Sequence, residues 1–551
     1  MAILLAAAPP PAAPAAGPPV RYDMLFRDAR LLDGTGAAPT TATVAVKDGR
    51  IAEVWRVSGT SGASGGMDGS GAAPTTVTAA AVIDCDGRYL APGFIDVHTH
   101  CEGDLSTSAG AMAENFLRMG VTSVITGNCG GSAVALGESF TSYTRVGLGI
   151  NVASLVGHGS VRARVMGNVN RDPTTTELVA MRALVAEGMA DGALGLSTGL
   201  IYTPGLYSKT PELVELAKEA AAGGGIYATH MRSEGADIRR AIDEALTIGL
   251  QAKCPVQISH FKITAPRYHG QSTMTIAMVE AARAAGQDVT VDQYLYTASS
   301  TTLQSVLPDW AVEGTTTQVK ERLRDPATRP KIIAELIASR RDRGSMHYAK
   351  VASFRADRTA EGSSILELAK RWHGTDTWEA QATTVLDMVT SGGAGMVFHS
   401  MDETDVQRIA KYPHTMFASD SGVRTLGSGV PHPRGYGNNA RALARYTRGA
   451  RLFAVEECVR KMTSLPAAKF GMADRGTIRT GAAADLVVFD LAKVEDPSTF
   501  DSPHKYAEGF DWVVVNGVAA IAEGNLTGAR AGKILKGPAR TAGGRREGES
   551  K

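Results

Sequence analysis

Short apolar, β-branched runs recur through the middle of the chain at a spacing that suits a strand, a helix and two loops. They start at Phe94 (FIDVH), Thr122 (TSVIT), Val152 (VASLV), Leu194 (LGLS), Ile226 (IYATH), Val256 (VQISH) and Val289 (VTVDQY), 28 to 42 residues apart. An eighth run, TMFASD, starts at Thr415. Apolar runs without polar alternation are the pattern of strands buried on both faces. The segments between them carry helical signals. Thr174 and Glu177 make a capping box ahead of LVAMRALVAEGMA, which predicts a helix over 174–191, and a second is predicted over 236–249. Eight parallel-type strands alternating with helices predict an α/β fold, a (β/α)8 TIM-like barrel.

The eighth run arrives about 125 residues after the seventh, so residues 303–390 are expected to be mostly an insertion, helical in character (QVKERLRDPATRPKIIAELIASRRDR). Outside the barrel, expected over 92–475, residues 22–91 and 476–535 read as short strands and turns (ATVAVKDGRIAEVWRV, DWVVVNGVAAIAEG). The two ends are expected to pair into one small β-sandwich. Residues 58–80 have the Gly/Ser/Ala composition of a flexible loop. Residues 1–21 are alanine and proline with no basic residue before Arg21. That favours a disordered tail over the stub of a secretion signal, which opens with positive charge. Residues 536–551 read as a second disordered tail.

Composition narrows the function classes. The 551 residues hold 57 Lys plus Arg against 56 Asp plus Glu, a formal charge of +1, which gives no support for nucleic acid or an anionic membrane as partner. No apolar run reaches the ~20 residues that a membrane span needs. Five cysteines are too scattered for a disulfide framework. The expected partner is a small molecule, with homo-oligomerisation left open. The expected compartment is the cytoplasm, or the periplasm or exterior if residues 1–21 are a signal remnant.

In this barrel fold chemistry sits where the strands end. Five of the twelve histidines fall there: His98 and His100 after strand one, then His158, His230 and His260 after strands three, five and six. Cys129, Ser197, Tyr294 and Asp420 stand at the exits of strands two, four, seven and eight. His98 and His100 are alternate residues and point the same way, and two imidazoles aimed into one mouth are hard to justify without a cation. His158 is read as a buried supporting residue, Cys254 and Cys458 as structural, and Cys101 as ambiguous. Sulfur, imidazole and carboxylate together favour zinc over magnesium or calcium. Ligands drawn from five strands rather than short local pairs are how a catalytic site is built.

These residues resemble the amidohydrolase superfamily: GFIDVHTH, then His230, His260 and Asp420. More closely, the chain is similar to the N-acyl-D-amino-acid deacylases. The similarity rests on DGTG at 33–36, PGFIDVHTH at 92–100, GNCGG at 127–131, GLSTGLIYTPG at 195–205 and THMRSEG at 229–235. It continues in ISHFK at 258–262, YLYTASST at 294–301, ASDSG at 418–422 and PHPRGYG at 431–437. The resemblance implies zinc-dependent hydrolysis of the linear amide of N-acyl-D-amino acids, with dipeptides ending in a D residue as further substrates. It implies a tight zinc on Cys129, His230 and His260, and a second, weaker position on His98 and His100 with Asp420. Asp420 would also be the catalytic proton carrier. Tyr202, Lys262, Tyr294, Ser300 and Arg434 would bind substrate. The D preference comes from the resemblance alone.

Two other readings stay open. Hydantoinases and dihydroorotases share the His pair but bridge two metals with a carboxylated lysine on strand four, where this chain reads GALGLSTG. A cyclic-amide hydrolase therefore lacks its bridging ligand here. A non-catalytic binding protein on the same fold is the third reading, and such relatives have usually lost ligands. For the substrate side chain, residues 295–319 hold no lysine or arginine and offer Leu303, Val306, Leu307 and Trp310. That stretch predicts an apolar pocket and neutral or hydrophobic side chains, with Arg424 the cation placed to contradict it.

Overall fold

The computed structural model describes residues 21–57 and 77–537. Residues 1–20 and 538–551 of the expected tails, and 58–76 of the loop expected over 58–80, lie outside the described residues, while Arg21 opens a strand. Each apolar run forms a strand: β1 (Phe94–Asp96), β2 (Val121–Thr126), β3 (Asn151–Ser154, resumed after Leu155 as Val156–Gly157), β4 (Gly195–Gly199), β5 (Ile226–His230), β6 (Val256–Ile258), β7 (Val289–Gln293) and β8 (Thr415–Phe417). They pair in chain order and always in parallel, β1 to β3 in one sheet and the second piece of β3 through β8 in another. Beyond β8, Ser421 bridges Thr99 in parallel, and the Asp420 N–H donates to the His98 carbonyl at 2.9 Å. The end of β8 thus meets the end of β1.

Every residue of these eight strands is buried, polar ones such as Gln257, Thr290 and Asp292 included. One set of side chains (Ile95, Ile125, Ala153, Leu155, Ala228, Met416) forms its own cluster, while Val124, Val152, Leu196, Tyr227 and Val291 join the larger core. The predicted capping box starts a helix over Thr175–Asp191: Thr174 Oγ1 accepts from the Glu177 N–H, and Glu177 Oε2 accepts from the Thr174 N–H at 2.8 Å. The second predicted helix runs over Ile238–Ala252.

The two ends of the chain meet in one nine-stranded sheet. Tyr89–Pro92 pairs antiparallel with Leu486–Phe489, which joins strands Arg21–Leu31, Thr40–Lys47, Arg50–Arg56 and Thr78–Asp84 to Phe510–Val515, Val518–Ala522 and Asn525–Leu526. Thr78 begins a strand inside the stretch expected to be loop, because its backbone pairs with Arg21–Leu31. A buried polar knot ties this sheet to β3. Asp485 accepts from Asn151 Nδ2 at 2.9 Å and from the Asn516 N–H at 2.7 Å, and it pairs with the Arg475 guanidinium.

The insertion between β7 and β8 is larger and less helical than expected. Its helices are Thr316–Arg324, Arg329–Arg340, Ile365–His373 and Trp378–Thr390, but a three-stranded antiparallel sheet of Ser299–Thr302, Gly395–Phe398 and Ala349–Ser353 opens and closes it. These strands are four or five residues long, too short for periodicity to separate them from loop or helix. The insertion has a core of its own, with Leu323, Ile332, Leu336, Leu368 and Leu386 at its centre.

Candidate metal centre

Six side chains from the ends of β1, β2, β5, β6 and β8 converge. Cys129 Sγ lies 3.3 Å from His98 Nε2 and 3.6 Å from both His230 Nδ1 and His260 Nε2. Asp420 Oδ1 lies 3.1 Å from His100 Nε2 and 3.6 Å from His98 Nε2. The donors fall into three overlapping triads: His98, His100 and Cys129; Cys129, His230 and His260; His98, His260 and Asp420. One sulfur, four imidazoles and one carboxylate in a single cluster, buried except at His100 and Cys129, fit a zinc-type cation, and two such ions as readily as one. The other ring nitrogen of His230, Nε2, is buried with no hydrogen-bond partner among the described residues, so Nδ1 is the atom turned to the cluster.

The local backbone explains how short strands aim these groups. Cys129, His260 and Asp420 sit at φ of 53°, 35° and 51°, left-handed conformations that non-glycine residues seldom adopt. Ser197 at the end of β4 braces the Cys129 turn from both sides, accepting from the Gly130 N–H at 3.1 Å and donating to the Gly127 carbonyl. Asp292 in β7 accepts from the His260 N–H at 2.7 Å and lies 3.4 Å from His98 Nδ1. Glu234 lies 2.8 Å from His260 Nδ1 and pairs with Lys262. Sequence reasoning singled out neither Asp292 nor Glu234. The signal available was position: Asp292 stands two residues before Tyr294, and Glu234 lies four after His230.

Electrostatics sort the donors. Burial holds His230 and His260 well below the ordinary imidazole value, helped at His230 by the charge of His260 and Lys262 and at His260 by Lys262 and His98. Neutral imidazoles are the form that ligates metal. Burial opposes charge on Asp420, but Arg434 and His98 outweigh it and keep the carboxyl well below its usual range. His100 moves the other way: burial disfavours its charge, yet Asp420 and Cys129 raise it to about 9. Burial pushes the Cys129 thiol up.

The cluster opens into a cleft of about 500 Å³ lined by Tyr202, His230, Glu234, His260, Lys262, Tyr294, Ser300 and Asp420 among others. The Tyr294 hydroxyl is buried without a hydrogen-bond partner among the described residues. Arg434 lies behind this wall, 2.9 Å from Asp420 Oδ2 and 4.3 Å above the Tyr294 ring. His158 stands apart from the six, 2.8 Å from Glu212 in a buried group with Arg162. Cys101, Cys254 and Cys458 are buried free thiols outside the donor set.

The apolar pocket expected from residues 295–319 needs correction. Of its four residues only Val306 lines the cleft; Leu303 and Leu307 fill the insertion's core, and Trp310 packs against Lys331 and donates to Glu335. Arg424 is not among the lining residues and donates to Ser421 instead. Two cations come from farther along the insertion, Arg340 and Arg343.

Comparison with known proteins agrees with this geometry. The amidohydrolase family model matches residues 81–521. The chain is 35% identical to the D-aminoacylase of Alcaligenes xylosoxydans xylosoxydans, over 95% of this chain and 98% of that one. It is 34% identical to the N-acyl-D-glutamate deacylase of the same organism, over 95% and 98%. The structure of the Bordetella bronchiseptica N-acyl-D-glutamate deacylase, complexed with zinc and a phosphonate inhibitor, superposes with a TM-score of 0.77 at 31% identity, covering 94% of this chain and 100% of that one. The chain therefore belongs to the amidohydrolase family, in its N-acyl-D-amino-acid deacylase branch, and is a metal-dependent enzyme acting on amide bonds.

Proposed function

We propose that the enzyme hydrolyses the linear amide of N-acyl-D-amino acids with zinc as its metal. The carrying observation is the convergence of Cys129 with four histidines and Asp420 at the floor of one cleft. In this reading Cys129, His230 and His260 hold the tight zinc, while His98, His100 and Asp420 offer a second, weaker position. The parallel strands, returned to their start at Thr99 and Ser421, are read as an eight-stranded barrel, and the terminal sheet as a folded sandwich.

Bound zinc supplies Lewis acidity toward the amide carbonyl and lowers the pKa of water toward ~7. The protein's side chains do the rest. Asp420, kept ionised, takes the proton of the attacking water and passes it to the departing amine, which leaves poorly unless protonated. Arg434 holds Asp420 in its carboxylate form and stacks on Tyr294, whose unpartnered hydroxyl is ready to donate to substrate. Lys262 supplies positive charge for the α-carboxylate, with Tyr202 and Ser300 in the same wall. Serine rather than lysine at position 197 speaks against a cyclic-amide substrate, since that residue braces the Cys129 turn and bridges nothing. The neutral side-chain preference expected from 295–319 is not carried forward, because the cleft draws its cations from elsewhere.

The test is turnover of N-acetyl-D-amino acids against their L forms, hydantoin and dihydroorotate, before and after chelation. Hydrolysis of the D derivatives, lost with chelator and restored by zinc, is expected. A preference for a cyclic amide would overturn the reading.

A further inference from the structure

The cleft holds more positive charge than the reaction uses. Arg340 ends the helix Arg329–Arg340, Arg343 lies in the single turn after it, and both line the cleft with His230, His260 and Asp420. Both are half-buried, and neither has a carboxylate partner among the described residues. Arg340 Nε is buried with no hydrogen-bond partner. Arg343 donates to the Thr264 carbonyl at 2.6 Å and stacks over Tyr348 at 4.5 Å. Burial, with the neighbouring Arg340, holds the Arg343 guanidinium below its ordinary value.

The acids of the cleft are already committed. Glu234 faces Lys262 and His260, and Asp420 faces Arg434 and His100. A helix C-terminus attracts a cation, which accounts for the place of Arg340 but not for its unpaired Nε nor for Arg343. Two guanidiniums close together and partly dehydrated, with only the exposed Asp342 as a neighbouring negative charge, are unfavourable until an anion joins them. A planar guanidinium meets a carboxylate in two parallel hydrogen bonds, which makes that group the natural guest.

We infer that Arg340 and Arg343 form an anion subsite that takes a second carboxylate of the substrate, carried on its side chain or on its acyl arm. This rests on the deacylase reading, in which the α-carboxylate is already met by Lys262. The subsite belongs to the insertion, so substrate choice is set by an element separate from the metal cluster.

The test compares kcat/KM for N-acetyl-D-glutamate, N-succinyl-D-leucine and N-acetyl-D-leucine in the zinc-loaded wild type and in the Arg340→Gln/Arg343→Gln double variant. One of the two diacids should exceed N-acetyl-D-leucine by about tenfold or more, the scale of one charge-assisted pair. The double variant should lose that advantage, mainly in KM, and keep its rate on N-acetyl-D-leucine. Whichever diacid loses tells whether the anion sits on side chain or acyl arm. Equal loss on all three substrates, or a wild-type preference for N-acetyl-D-leucine, overturns the inference. Calorimetric titration with glutarate and butyrate reads the subsite without turnover: tighter glutarate binding, abolished in the double variant, supports it, and no difference refutes it. Should glutarate bind as expected while no N-acyl-D-amino acid is cleaved, the deacylase reading fails and the subsite stands.

Discussion

Cys129, His260 and Asp420 deliver their donor atoms from left-handed backbone, at a cost of about 1–3 kcal/mol each that the surrounding contacts must offset. The bracing by Ser197, Asp292 and the β1–β8 junction holds these turns in place. Replacement of Cys129 by alanine should abolish tight zinc; metal analysis after dialysis checks this, and full zinc content would remove the thiol from the site. Asp420→Asn should retain zinc but lose about 10²–10⁴-fold in kcat, the scale of a lost general acid–base. Glu234→Gln should weaken zinc affinity by about 10–100-fold, because its carboxylate orients His260. Competition with a chromogenic chelator measures that change. Five of the six donors could be picked out from sequence because histidine and cysteine are scarce and fall at strand ends, and Asp420 through its own strand end and the family resemblance. Glu234 and Asp292 are marked only by their closeness to His230 and Tyr294, a weak signal in a chain with 56 acids.

Among elements, the long helices and buried strands announced themselves through capping chemistry and unbroken apolar runs. The insertion did not. Its short strands match no period well, and the turn that brings Arg340 and Arg343 to the cleft depends on packing within a separate core. The helix Val455–Met462 shows another effect that sequence conceals. Its Lys461 is fully buried and donates to the carbonyls of Tyr412, just ahead of β8, and Thr415, its first residue. Burial lowers this ammonium to about 7, against the pull of Glu457. Between about pH 7 and 10.5 the unfolded chain therefore binds more protons here than the folded one, so this lysine's contribution to stability rises with pH across that window. Urea unfolding of wild type and Lys461→Met at pH 7 and 9.5 should show the wild type gaining relative to the variant at the higher pH. A constant difference would mean that the lysine stays charged when folded.

For the whole molecule, the alternation of strand and helix was readable because it repeats many times. The partner of Tyr89–Pro92 was not, since pairing between segments so far apart leaves no local trace. The knot around Asp485 is where that long-range pairing is fixed. Asp485→Ala would strip the buried Arg475 of its closest carboxylate, leaving Asn516 and the half-exposed Asp474 at 3.7 Å, and should destabilise the protein by about 3 kcal/mol. Thermal unfolding followed by circular dichroism measures the loss, and a shift of the midpoint by less than a degree would make the knot dispensable.

The joining of the first strands to Leu486–Phe489 also sets a timetable. Leu486 is translated roughly 400 residues after Pro92, and at ~5–20 residues per second the nascent chain waits about 20–80 s for that partner. During that interval the edge of Tyr89–Pro92 is open to pairing with other chains. The terminal sheet can therefore close only once Leu486–Phe489 has been made, and chaperones that shield strand edges should raise the yield of folded enzyme.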